Sequence, residues 1–344
     1  MPPLRIATRL AVVALLFAAA AGSAVSQSGP AIPLHLYTAA YGAIFEADLT
    51  ACSVREVART DRTALELAAD SEGRYWGRYR ETSLACFDPA QGTITARIRL
   101  SDAPYRILVA PDGRAWVSHN TLTRHGFALS VLDLAAAKVV GRIQGVPGIV
   151  TDMALAGESL YVATLGVEKT GSLMLSRIEL RSGILSEVYR APKGGYVWRL
   201  ASSADALYLV PERSASGPVG VDPPPSLVVV PLRGGEPREQ PLQGELKIGR
   251  IVGGGYLQGG TLFLPCRDRR GGYGIAAVDL AAFRVSLFLP VSRAVNEILY
   301  VGQERCVARD GLLTAGPEGV ALVFIDLKEG KEVSVVPLLR HSGN

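Results

Sequence analysis

The chain is poor in the residues that most often carry catalysis or bind metals: four histidines and four cysteines in 344 residues. Only His119 and His125 lie near each other, with Asn120 and Arg124 between them, and their spacing is not that of a metal pair. They read as hydrogen-bonding side chains of a solvated loop after an aromatic strand. Charge of one sign is also lacking. Thirty-six basic residues face 32 acidic ones, for a net charge of +4 with no basic stripe; this excludes the electrostatic footprint of nucleic-acid binding. No Gly-x-Ser-x-Gly nucleophile elbow occurs. Gly253, Gly254 and Gly255 open no helix, follow no phosphate-binding pattern and read as a turn or a distorted strand. Sustained helical periodicity is missing throughout.

The single long apolar run is at the start. Arg5 and Arg9 form a basic front, and Leu10 to Ala21 is apolar without interruption. Small residues follow, with Gly22 and Ala24, or Ala24 and Ser26, at the spacing a signal peptidase accepts. The run is about a dozen residues, against roughly 20 for a membrane span. The expectation is a signal peptide over 1–26, cut near Val25 or Gln27, and a mature chain, 27–344, forming one domain in the periplasm or outside the cell. No cysteine stands near the cut to carry a lipid, and no integral membrane segment is expected after cleavage. Cys52, Cys86, Cys266 and Cys306 make an even number in an oxidising compartment, so disulfides are one expectation, with Cys52–Cys86 and Cys266–Cys306 the first pairings. Buried thiols that never pair are the other.

What the chain has in quantity is glycine, 37 residues, and proline, 21, which favours many short strands joined by turns. Alternating apolar runs end repeatedly in an acidic residue followed by Leu or Pro. The copies centre on Asp48, Asp88, Asp133, Glu179, Pro231, Asp279 and Asp326, spaced 40, 45, 46, 52, 48 and 47 residues apart. Some ten to twenty residues before each stands a short aromatic or apolar strand: Tyr37, Trp76, Trp116, Tyr161, Tyr208, Phe263, and Cys306 with Val307. A period of 40–50 residues fits a four-stranded propeller blade and is too long for leucine-rich or ankyrin units. One such sheet has two apolar faces and cannot bury both alone, so blades must stack around an axis. The fold expected is therefore all-β, a β-propeller of about seven four-stranded blades. The last recognisable strand ends near Leu339, so residues 27–34 would have to supply the innermost strand of blade 1. They contain Pro30 and Pro33, which predicts an irregular or three-stranded first blade.

Leu160 to Ala163, Ser130 to Leu134, and Pro104 to Arg106 running on to Pro111, Asp112 and Gly113 resemble the YVTN-type repeat. That resemblance implies a seven-bladed propeller related in fold to the amine dehydrogenase heavy chains. The chain departs from the repeat at Pro231 and in the long Pro-rich stretch from Pro211 to Pro225.

In a propeller the innermost strands line a central channel. Aligning the six visible ones gives a charged residue followed by an apolar or small pair: Glu66, Arg106, Asp152, Arg199, Arg250 and Glu297. Two readings stand. The ring could bind a small charged or zwitterionic ligand in a partly desolvated funnel, or its three acids and three bases could neutralise one another. Arginines between the acids disfavour a divalent metal ion, although Glu66, Asp152, Asn296 and Glu297 are its candidate ligands. No cofactor and no catalytic residue is expected. Arg267, Arg269 and Arg270 form a basic loop that either meets a partner's carboxylates or is merely solvated. The favoured function is a binding or interaction module whose loop face and channel take a protein partner or a small charged ligand. The alternatives are a lactonase-like hydrolase or a non-catalytic propeller subunit of a periplasmic redox enzyme.

Overall fold

The computed structural model describes residues 35–60, 64–79, 82–167, 172–191, 197–212, 225–244, 248–310 and 319–338. Their strands form seven antiparallel sheets, each built from one consecutive stretch of chain. Each sheet packs against the next, and blade 7 packs against blade 1. The fold is a seven-bladed β-propeller. Among the described residues no helix is long and apolar enough to cross a membrane.

The innermost strands of blades 2 to 7 are Ala64–Ala69, Pro104–Val109, Ile149–Ala156, Val197–Ser202, Ile248–Ile251 and Glu297–Val301. Among the described residues blade 1 has three strands, His35–Ala40, Ala43–Asp48 and Ser53–Arg59. The stretch 27–34, which would complete it, lies outside the described residues. In blade 6 the inner edge is broken in two, since Ile248–Ile251 and Tyr256–Gln258 both pair with Thr261–Asp268. The glycine run sits at that break. A Cβ on Gly253 would stand 2.1 Å from the carbonyl oxygen of Asn296, so this backbone passes blade 7 at a distance only glycine permits.

The acidic motif has a definite structural place. Asp48, Asp88, Asp133, Glu179, Pro231, Asp279 and Asp326 are each the last residue of the third strand of a blade, or its equivalent in blade 1. The aspartates cap the hairpin that follows. Oδ1 of Asp48 accepts the N–H groups of Thr50 and Ala51 at 2.8 Å, and Asp326 does the same for Lys328 and Glu329 at 2.9 and 2.8 Å. The next residue is Leu in six blades, and among the described residues five of these donate their N–H to the turn between the first two strands, as Leu134 does to Gly113 O at 3.0 Å and Leu280 to Gly260 O at 3.1 Å. Pro89 has no N–H to give.

Period-two alternation then divides each sheet between two interfaces. In the second strand of blade 3, Ala115 and Val117 face blade 2 while Trp116 faces blade 4. The buried residues separate into seven clusters, one at each blade interface, including the closing contact of Val307, Leu322 and Phe324 with Ala40 and Phe45. Between blades 1 and 2 the aromatic rings do most of the filling, with Tyr37 5.0 Å from Tyr75 and 5.7 Å from Phe87 between centroids.

The same parity separates the cysteines. Cys86, Cys266 and Cys306 are buried in the clusters between blades 2 and 3, 5 and 6, and 6 and 7, and Cys52 packs against the one between 7 and 1. All four are free thiols, and neither expected pairing is made. Burial pushes the Cys266 and Cys306 thiols up to about 12, as suits small apolar core residues.

Candidate functional site

All six ring residues lie on innermost strands. In four of them a register irregularity falls beside the charged residue: at Glu66, Arg106, Asp152 and Arg250. A bulge there changes the aim of the side chain without breaking the blade.

Three charges missed by the sequence alignment join the ring from second strands: Arg78, Glu212 and Arg309. Glu66 and Arg78 are cross-strand partners, as are Glu297 and Arg309, each pair twelve residues apart in sequence. Arg78 Nε stands 3.2 Å from Glu66 Oε2, Arg199 Nε donates to Glu212 Oε2 at 2.5 Å, and Arg309 is ion-paired with Glu297. Arg309 also reaches blade 1, donating to Thr38 Oγ1 at 2.8 Å and to Ala39 O at 3.3 Å. Arg250, on the innermost strand of blade 6, is buried.

Asp152 is engaged differently. Its two oxygens accept the N–H groups of Met153 and of Leu200 in the next blade, both at 2.9 Å. Beside it Thr151 Oγ1 donates to Trp198 O at 3.0 Å. Thr151 O in turn receives two guanidinium donors, Arg106 Nε and Arg199 Nη1, each at 3.1 Å. Blades 3, 4 and 5 are thus tied together around one carbonyl.

The Arg106 side chain makes one hydrogen bond among the described residues. Beyond its bond to Thr151 O, its nearest carboxylate contact is Nη1 to Glu66 Oε1 at 3.6 Å, outside hydrogen-bond range. Among the described residues its two terminal nitrogens make no hydrogen bond. The guanidinium lies 5.5 Å from the Tyr105 ring centroid, and Arg78 lies 5.7 Å from the same centroid.

Electrostatics couple the ring across the channel. Burial works against the Arg106 charge, but Glu66, Asp152, Tyr105 and Glu297 together hold its pKa up. Burial pushes Asp152 up to about 6, against the pull of Arg106 and the two backbone N–H groups. It pushes Glu212 up to about 7; Arg106 opposes that rise and Glu297 adds to it. The ring holds five arginines against four carboxylates, and two of those carboxylates are drawn toward the neutral form.

The other candidates resolve into structure. His119 is not in a loop: the second strand of blade 3 runs on to Thr123, and His119 is fully buried in it. Its Nε2 lies 2.7 Å from Ser130 Oγ and its Nδ1 3.3 Å from Ala103 O; burial lowers its pKa. In the basic loop, Arg267 donates to Gly271 O and stacks over Tyr273, and Asp268 caps Arg270 and Gly272. Residues 213–224 of the Pro-rich stretch lie outside the described residues. Among the described residues no three of His, Cys, Asp and Glu gather as a cation site requires.

The sequence matches no protein-family model and no curated protein. Similar solved structures share the fold at low identity. The periplasmic gluconolactonase PpgL of Pseudomonas aeruginosa superposes with a TM-score of 0.61 at 17% identity, over 88% of this chain and 96% of that one. The computationally designed Ika8 protein gives 0.57 at 12% identity, over 89% and 84%. Kuenenia stuttgartiensis hydrazine synthase gives 0.53 at 16% identity, over 86% and 89%.

Proposed function

We propose that the protein is an exported binding module whose channel mouth holds a small charged ligand without turning it over. The observation that carries this reading is Arg106. Its side chain, 20% exposed, lies at the meeting point of three blades, and both terminal nitrogens are free of hydrogen bonds among the described residues. Open guanidinium donors among converging charges are what a small charged ligand engages.

Export is part of the proposal. It rests on the basic and apolar start of the chain and accords with the periplasmic description of PpgL. A lactonase-like hydrolase is the second reading, favoured by the likeness to that gluconolactonase. Against it, the ring carboxylates are already engaged, Glu66, Glu212 and Glu297 by arginines and Asp152 by backbone N–H groups.

Native mass spectrometry of the chain purified from its own host, beside Arg106→Gln, tests the proposal. A small molecule bound one-to-one to the wild type and lost from the variant is expected, on a chain beginning near Val25 or Gln27. A bare chain in both preparations would overturn the reading. A stoichiometric divalent ion would favour the hydrolase, and a second polypeptide would move the function to the loop face.

A further inference from the structure

We infer that the ligand is a small oxyanion, a carboxylate or a phosphate ester, gripped jointly by Arg106 and Arg199, and that Glu212 stands in for it on Arg199 when the site is empty. This rests on the binding reading above and names the chemistry of that same site.

The geometry points to an anion through what the two guanidiniums share. Arg106 from blade 3 and Arg199 from blade 5 both donate to Thr151 O at 3.1 Å, so their donor nitrogens lie within about 6 Å of each other. Like charges held this close in a half-dry site repel unless a counter-charge sits between them. The protein supplies that counter-charge incompletely. Glu212 reaches Arg199 but makes no bond to Arg106. Glu66 already takes the hydrogen bond of Arg78 and stays 3.6 Å from Arg106. Asp152 turns both oxygens to backbone N–H groups, and Glu297 pairs with Arg309. No nearby carboxylate makes a hydrogen bond to Arg106, only the 3.6 Å ion pair with Glu66 Oε1, and its planar donor edge is open. Two parallel donors of a guanidinium match two oxygens of a carboxylate or phosphate, which neither a neutral hydroxyl ligand nor a cation can reproduce.

Glu212 fits the part of a displaceable stand-in. It is the last residue of the second strand of blade 5, and its one hydrogen bond among the described residues is to Arg199. Burial disfavours its charge, so the carboxylate that holds Arg199 is itself poorly solvated. An incoming oxyanion that bridges both arginines replaces one ion pair by two.

Isothermal titration of the mature chain with malonate, inorganic phosphate and the neutral malonamide tests this, with Arg106→Gln, Arg199→Gln and Glu212→Gln as variants and near-UV circular dichroism showing that each is folded. The expected result is one-to-one binding of malonate, phosphate or both, with no malonamide binding. Loss of either arginine should weaken binding about tenfold or more, and Glu212→Gln should tighten it about fivefold. The relative affinities of malonate and phosphate then separate the two oxyanion sources. Malonamide binding as well as malonate, or Glu212→Gln weakening as much as Arg106→Gln, would overturn the inference. If a molecule co-purifies with the wild type and depends on Arg106 but neither anion competes with it, the anion assignment fails and the binding reading stands. If nothing co-purifies and neither anion gives heat, both fail.

Discussion

Asp152 shows how one side chain can serve both packing and charge. Its two backbone hydrogen bonds, of which the one from Leu200 stitches blade 4 to blade 5, favour the carboxylate, yet burial wins and raises the pKa from 3.8 to about 6. Between those values the folded chain binds more proton than the unfolded one. Stability from this group is therefore fully present below about pH 4, lost as pH rises toward 6, and flat above. A shift of about two units is worth at most about 3 kcal/mol. Chemical denaturation of wild type and Asp152→Asn at pH 4 and pH 7 should show the wild type losing up to that amount relative to the variant; a difference that does not change with pH would contradict it. The six ring positions were legible because each charge precedes an apolar or small pair on an alternating strand. Arg78, Glu212 and Arg309 were not, since a charge at the end of a second strand looks like any solvated strand end. The cross-strand register, which puts Glu66 opposite Arg78 and Glu297 opposite Arg309, gives the two arginines away, whereas Glu212 stands opposite Val197 and is placed only by its contact with Arg199.

The hairpin between third and outermost strands repeats most faithfully. Four residues after the acidic position the backbone always has positive φ: glycine at 92, 183, 235 and 330, but Cys52, Ala137 and Phe283 at 49°, 49° and 48°. An L-residue in that conformation costs about 1–2 kcal/mol, while glycine loses about 0.4–1 kcal/mol through the freedom of its unfolded chain. Ala137→Gly should therefore stabilise the protein by about 0.5–1 kcal/mol, read as a higher urea midpoint at unchanged slope. A lower midpoint would mean that the methyl group's packing against the cluster between blades 2 and 3 outweighs the strain. The acidic repeat was readable because a short carboxylate caps this turn in almost every blade. Its exceptions have physical reasons: the longer Glu179 accepts from Ser182 Oγ at 3.0 Å instead of from the turn backbone, and around Pro231 the turn relies on Gly234 and Gly235.

At the scale of the whole molecule, blade number was legible from the period of the acidic motif. The fate of the cysteines was not. Neighbouring modules suggested pairs, but strand parity sends each thiol into a different interface, and parity between blades is invisible to a repeat alignment. His119 escaped for a related reason, because the strand carrying it runs longer than its counterparts in the other blades. The seven interfaces hold the ring closed through apolar packing, to which the channel charges add single ties between blades, such as Arg106 Nε to Thr151 O. That makes thermal denaturation of ligand-free protein the most direct test of why they are there. If Arg106 is kept for a ligand, Arg106→Gln relieves an under-compensated charge; its melting temperature should equal that of the wild type or exceed it by a few degrees, at about 2–4 °C per kcal/mol. A fall of several degrees would make Arg106 a strut of the propeller and contradict a binding site at the channel mouth.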